Sequence, residues 1–385
     1  MEEKKVLIIC GEASGELHAA SLTAALKKIN PQIKITGVGG EALRQAGADI
    51  IYDIKGLSVI GLFDVLKKLP KFFELKKFLL YTIRQEKFDA VIFVDFSGFN
   101  LRLAKAIKKA NLTNSTNSAI ATIYYVSPQV WASRQGRVRT IKEFIRKMIV
   151  LFKFEEEFYK KYGVDADFVG HPLLDIVKPT MQKKELLNNL KFSENKTTIA
   201  LLPGSRKQEI RNILPVMLQT ASLINQKQDA QFLIAKSPSV DWEIYNQIIG
   251  RFNIEVKIVE GITYDCLNIA DFVLVCSGTA TLETAIMQKP FCVIYKMGLL
   301  NYLLYRPQVK VPYIGMVNIV AGKKIIPEFI QLGAVPKKIA HEVLQIMRNP
   351  AKLQEITSNL ALVKSSLGEP GAASRAAKII SEFIS

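Results

Sequence analysis

The chain has 385 residues, 49% of them hydrophobic and 23% charged, and a net charge of +17. That length suggests two domains, and that apolar content excludes a disordered chain. The excess positive charge calls for an anionic partner, whether nucleic acid, phospholipid headgroups or phosphorylated substrates.

Met1-Glu2-Glu3-Lys4-Lys5 runs directly into an unbroken apolar strand over 6–10, so no signal peptide is expected. No apolar run reaches the length of a spanning helix, which leaves a cytoplasmic protein whose membrane contact would be peripheral. Cys10, Cys266, Cys276 and Cys292 lie in or beside apolar runs without metal-ligand spacing and read as buried thiols in a reducing compartment. Gly11-Glu12-Ala13-Ser14-Gly15-Glu16 then turns into a helix over about 17–28. Two glycines at the C-terminal edge of a strand either let a ligand approach the backbone or simply make a tight turn. A strand over 33–38 follows.

Residues 56–80 are dense in apolar side chains, among them Ile60, Leu62, Phe63, Leu66, Leu69, Phe72 and Phe73, bordered by Lys67, Lys68, Lys71, Lys76 and Lys77. The pattern fits a helix lying on an anionic bilayer, or a core-packing helix pair with Pro70 opening the second member. A strand over 90–94 ends at Asp95-Phe96-Ser97-Gly98-Phe99-Asn100, before a basic helix over about 101–110. A carboxylate at the C-terminal end of a parallel strand sits where doubly wound folds bind ligands, so Asp95 is a candidate general base; the alternative is a helix cap. After the strand over 120–126 and Ser127-Pro128-Gln129-Val130-Trp131, the cations Arg134, Arg137, Arg139, Lys142, Arg146 and Lys147 could meet phosphates or form a solvated face. A strand over 148–152 and Gly170-His171-Pro172 close the first half, and the polar stretch over 175–196 reads as a linker. His171 reads as a backbone-bonded loop residue rather than a catalyst.

The second half restarts with a strand over 197–202, the turn Pro203-Gly204-Ser205-Arg206 and a helix from about Lys207. The planar fork of Arg206 matches a phosphate. Strands over 231–235 and 256–259 precede the apolar run Val273-Leu274-Val275-Cys276, the small turn Ser277-Gly278-Thr279 and a helix over 280–287 with Thr279 or Ser277 as N-cap. Strand, polar turn and helix N-terminus make an anion site. Glu283, one turn further along, suits ribose hydroxyls, as acidic residues do in dinucleotide sites. A strand over 291–295 and a last helix over about 372–384 complete a pattern of repeated βαβ units.

Taken together, the two phosphate turns and Glu283 can hold a nucleoside diphosphate, with Asp95 and the 12–16 loop left for an acceptor. No Walker P-loop appears, nor an Asp-x-Asp pair that would hold a divalent metal on a diphosphate, so neither cofactor nor metal is expected. Arginine and helix N–H groups must then neutralise the departing diphosphate. No nucleic-acid motif is present, the aromatics form no stacking series among the basic residues, and no nucleic-acid partner is expected.

These motifs, in this order, resemble the lipid-A-disaccharide synthase family of inverting GT-B glycosyltransferases. The resemblance rests on the 11–16 loop, Asp95 with Phe99-Asn100, 125–131, 170–172, 201–206, 277–283, and Asn318 with Ala321-Gly322. It implies an α/β fold of two Rossmann-like domains facing a cleft: an acceptor and membrane-facing domain over 1–178, a UDP-sugar domain over 179–365, and a C-terminal helix over 366–385 packing back on the first. It implies transfer of 2,3-diacylglucosamine from UDP to 2,3-diacylglucosamine 1-phosphate (lipid X) with inversion, at the anionic inner face of the inner membrane, with an oligomer left open. In this reading Asp95 and Glu12 are the catalytic candidates, and Arg206, Ser205, Gly204, Ser277, Gly278, Thr279 and Glu283 bind UDP. Ser14, Gly15, Asn100 and Asn318 line the acceptor side, and the apolar residues of 60–73 touch the membrane. The chain departs from the family pattern at Ser97, near Ser133 and at Val317. The rival readings are a UDP-N-acetylglucosamine 2-epimerase, which would share the architecture without needing the lysine-bordered apolar segment, and a non-enzymatic basic protein that binds membrane or nucleotide.

Overall fold

The computed structural model describes residues 4–55, 62–298, 302 and 311–385, without the side chains of Ala13 and 62–68. The chain divides into two compact units, one of Met1–Pro172 with Leu367–Ser385, the other of Leu173–Ser366. The first boundary thus falls before the polar stretch expected to be a linker. That stretch forms the helices Leu173–Ile176 and Lys183–Leu190 of the second unit. Between them, buried Asp265 takes the Thr180 N–H (2.7 Å), the Thr180 hydroxyl (2.8 Å) and the Met181 N–H (2.7 Å).

The first unit is built on seven strands: β1 (Lys5–Ile9), β2 (Lys34–Gly39), β3 (Asp49–Asp53), β4 (Ala90–Val94), β5 (Ala121–Tyr125), β6 (Lys147–Val150) and β7 (Ala166–Phe168). They pair in parallel in the order β3-β2-β1-β4-β5-β6-β7. β4 and β5 are buried throughout, because helices cover both faces of a parallel sheet; this is why β4 reads as a continuous apolar run and β5 as one broken only by Thr122. The strand order reverses between β1 and β4, and ladder pairing of Ile9 with Phe93 brings the turns after both strands side by side. In the same unit the C-terminal helix Ala372–Phe383 packs on Ala13–Ile29. Arg375 Nε fastens it to the Val169 carbonyl at 2.8 Å.

The second unit repeats the plan with β8 (Thr197–Leu202), β9 (Ala230–Lys236), β10 (Lys257–Glu260), β11 (Phe272–Cys276), β12 (Phe291–Tyr295) and β13 (Glu328–Ile330), in the order β10-β9-β8-β11-β12-β13, again all parallel. Here the order reverses between β8 and β11, where Leu202 pairs with Val275. In doubly wound sheets such a switch point leaves a crevice outside the carboxyl ends of the strands. Each unit therefore presents one ready-made binding position.

The segment read as a helix pair is one helix, Leu62–Glu86, running through Pro70. Leu75, Leu79 and Ile83, spaced four apart, face the core. Phe72 is half-buried, its ring 5.8 Å from that of Phe96 and 6.2 Å from that of Phe99. Leu69 is half-buried, while Phe73 is 61% exposed. Ile60 and the side chains of Leu62, Phe63 and Leu66 lie outside the described residues.

Candidate functional site

At the first unit's switch point, β4 ends in two successive left-handed residues, Asp95 (φ 49°) and Phe96 (φ 48°). Non-glycine residues are costly there, at about 1–2 kcal/mol each, so the surrounding contacts must hold the turn. Several do. The Tyr124 hydroxyl and the Asn100 side-chain amide (2.8 Å) both donate to the Asp95 carbonyl. The Phe96 ring lies over Gly11, where an added methyl would meet ring carbons at 2.3–2.5 Å. Gly15 lies against Asp95, with an added methyl 3.4 Å from its Cβ.

The carboxylate of Asp95 is thereby presented at the strand end. It does not cap the next helix, Ser97–Lys109, whose N-cap is Phe96 and which has no side-chain cap. Burial raises the Asp95 pKa, and the nearby Glu12 carboxylate raises it further, partly offset by the Phe96 N–H. Glu12 and Ser14 are exposed beside it at the start of Ala13–Ile29. Asn100 is fully buried and positions Asp95 from behind instead of facing an acceptor. A Gly11→Ala substitution should push the Phe96 ring and the strained turn together. We expect about 1–3 kcal/mol of destabilisation in a denaturant titration, with activity falling further than stability.

The adjacent loop is built from buried contacts. Trp131 Nε1 donates to Glu155 at 3.0 Å, and the Leu151 and Phe152 N–H groups donate to the other oxygen of the same carboxylate at 3.3 Å. The Ser127 and Tyr159 hydroxyls meet at 2.8 Å. Burial lifts Glu155 to about 7. Among the basic residues that follow, half-buried Arg137 donates to the Ser97 hydroxyl at 3.3 Å. Lys147 is held by Asp165 (2.9 Å) and Asp167 (2.7 Å). Those two aspartates are the one Asp-x-Asp spacing in the chain, passed over in the motif reading, and both carboxylates are spent on that lysine. His171 is buried against the Phe152 ring, 5.1 Å between centroids, with its backbone N–H on the Leu367 carbonyl. Burial, and secondarily His18, pushes its pKa down to about 3, so it is a neutral packing residue.

The second unit's switch point is a cavity of about 340 Å³. Gly204, Ser205, Arg206, Ser277, Gly278, Thr279 and Glu283, the seven residues singled out for UDP, all line it. The helix Thr279–Ile286 starts behind Gly278, not behind a serine or threonine cap, and no side chain caps it. Gly278 has φ 149°, a conformation that favours glycine, and open space where a Cβ would stand. The backbone there is bare toward the cavity, as an anion site at a helix N-terminus requires. Glu283 accepts the Tyr264 hydroxyl at 3.1 Å; burial raises its pKa and that bond pulls it back.

Asn318, expected on the acceptor side, is instead wholly internal to the second unit. Its amide donates to the Ile326 carbonyl (3.0 Å) and to Glu328 (2.8 Å), and its oxygen accepts the Ile325 (2.8 Å) and Ile326 (3.1 Å) N–H groups. With no exposed surface and its bonding capacity spent, it cannot contact a ligand in this arrangement. It steadies Glu328, which accepts the Ile314 and Gly315 N–H groups at 3.0 Å each, and the Ile314 carbonyl receives the Ser277 hydroxyl at 3.3 Å. Glu328, Tyr264 and Glu209, which lines the cavity and accepts the Ser205 N–H at 3.2 Å, are the supporting residues that sequence reasoning missed.

Comparison with known proteins adds a family. A family model described as Lipid-A-disaccharide synthetase matches residues 6–383. The lipid-A-disaccharide synthase of Syntrophus aciditrophicus (strain SB) is 44% identical over 380 residues, 98% of this chain and 97% of the relative. That of Myxococcus xanthus (strain DK1622) is 36% identical over 384 residues, 99% and 97% respectively. Among solved structures, UDP-GlcNAc 2-epimerase from Neisseria meningitidis, bound to UDP-GlcNAc, superposes with a TM-score of 0.60 at 14% identity, covering 99% of both chains. A glycosyltransferase from Rickettsia africae ESF-5 gives 0.59 at 12% identity, covering 100% of this chain and 99% of that one. At such identities these two report the fold.

Proposed function

The chain belongs to the lipid-A-disaccharide synthetase family, and from that premise we propose how its residues divide the work of a UDP-sugar glycosyltransferase. The reaction moves 2,3-diacylglucosamine from UDP to 2,3-diacylglucosamine 1-phosphate, giving the β-1,6-linked disaccharide 1-phosphate and UDP. The second unit holds UDP at the β8/β11 switch point: the 204–206 and 277–279 turns take the diphosphate and Glu283 takes the ribose hydroxyls. The first unit holds the acceptor at the β1/β4 switch point. There Asp95 removes the proton from the acceptor's 6-hydroxyl, with Glu12 beside it to keep the Asp95 pKa raised.

The freed oxygen attacks C1 of the donor sugar from the face opposite the nucleotide, the bond from C1 to the diphosphate oxygen breaks, and the configuration inverts. Negative charge builds on the departing diphosphate, and Arg206 with the N–H groups of the turns stabilises it without a metal. The observation that carries this reading is the convergence of all seven nucleotide-binding candidates on one cavity. It is tested by a UDP-soaked crystal. Diphosphate density on Ser205, Arg206 and Gly278 with the ribose on Glu283 supports it; UDP placed away from both Arg206 and Glu283 refutes it.

Both substrates carry acyl chains, so the enzyme must work at a bilayer surface. No described helix is long and apolar enough to cross a membrane. The outer face of Leu62–Glu86 offers Phe73, Phe78 (41% exposed) and Tyr81 (65% exposed) among Lys71, Lys77 and Arg84, a composition suited to anionic headgroups. Replacing the three aromatics by serine should lower sedimentation with anionic vesicles by roughly tenfold or more, since each forfeits apolar burial in the interface. Turnover of detergent-dispersed substrates should stay near the parent's. Unchanged vesicle binding would move the membrane face elsewhere.

A further inference from the structure

Glu209 projects from the first turn of the helix Lys207–Asn225 into the same cavity. One of its carboxylate oxygens accepts from Arg206 Nη1 at 3.0 Å, the other from the Ser205 N–H at 3.2 Å. A methyl on Gly204 would lie 2.6 Å from the second oxygen, so the carboxylate is seated directly on the turn. A negatively charged group therefore already occupies the two donors assigned above to the diphosphate. The Ser205 N–H is a single donor and cannot serve two acceptors at full strength. Two anions on one turn would also repel each other.

We propose that Glu209 is an internal stand-in for the diphosphate. In the nucleotide-free enzyme it keeps Arg206 and the 204–206 turn in receiving geometry; it yields those donors when UDP-sugar arrives and retakes them as UDP leaves. Glu209 is thus a positioning residue that sets nucleotide affinity by competition and assists product release. The inference rests on the UDP reading of this cavity.

The test is calorimetric titration of UDP and of uridine into the parent, Glu209→Gln, Glu209→Ala and Arg206→Ala. The stand-in predicts that both Glu209 variants bind UDP about tenfold more tightly, with slower UDP dissociation in stopped flow, while uridine affinity is unchanged. UDP affinity unchanged or weakened in both Glu209 variants, with Arg206→Ala still impaired, would make Glu209 a buttress for Arg206 and overturn the proposal. Parallel loss of UDP and uridine binding in the Glu209 variants would mean a damaged fold around an essential support, and would overturn it as well. If Arg206→Ala also leaves UDP binding intact, the cavity is not the nucleotide site, and the underlying reading falls with the inference.

Discussion

Asp95→Asn is expected to lower kcat by roughly 100- to 10,000-fold, the usual worth of a positioned general base, while UDP affinity stays within about twofold of the parent. The separation is expected because Asp95 sits at the first unit's switch point and the cavity proposed for the nucleotide at the second's. Two further signs follow from the raised Asp95 pKa. The base must be ionised, so the acid limb of kcat/KM should lie above the ordinary aspartate range. Stability runs the other way. Below the unfolded carboxyl's pKa both states are protonated and Asp95 contributes nothing. As pH rises through that value toward the raised folded pKa, the native state retains the proton longer and loses stability. At pH 7 the ionised group is therefore a burden, and the asparagine variant should melt no lower than the parent, the difference closing in acid. Loss of UDP binding together with turnover would assign Asp95 to structure.

Arg206→Ala should lower kcat/KM for the UDP-sugar by about 100- to 1,000-fold, as removal of one preorganised oxyanion donor does elsewhere, and should weaken UDP itself. Arg206→Lys should recover only part, because a lysine keeps the charge but not the planar fork. The side chain is 62% exposed and its ion pair with Glu209 is local, so the melting temperature should barely move. Equal UDP affinity in parent and Arg206→Ala would place the diphosphate on other residues.

Much of this was legible in the amino-acid order because parallel strands covered on both faces are nearly continuous apolar runs. The apolar runs at Ala90–Val94, 199–202 and Phe291–Tyr295 declare themselves this way, and the turns that follow strands carry the chemistry. The outer strands Asp49–Asp53 and Glu328–Ile330 did not stand out, since they are at most half-buried and begin with carboxylates, and the second has only three residues. Pro70 read as a helix boundary because an interior proline loses a backbone bond, yet the helix runs through it.

The support of the site was less visible still. Glu328 reaches Ile314 and Gly315 across 13–14 residues of chain, and Tyr264 reaches Glu283 across 19. Such pairs exist only once the chain has folded. Asn318 lies in a family-like motif, but whether a polar side chain in a motif meets a ligand or braces a loop depends on burial, which spacing does not encode. The left-handed pair Asp95–Phe96 had no glycine to announce it; only the ring lying on Gly11 explains why a glycine stands in the neighbouring turn.

The most direct measurement incubates the purified chain with UDP-2,3-diacylglucosamine and 2,3-diacylglucosamine 1-phosphate in mixed micelles and follows both lipids and nucleotide by mass spectrometry. The account predicts one disaccharide 1-phosphate per UDP released, and no UDP when the acceptor is omitted. UDP release that ignores the acceptor, or a donor sugar epimerised with no disaccharide formed, would contradict it.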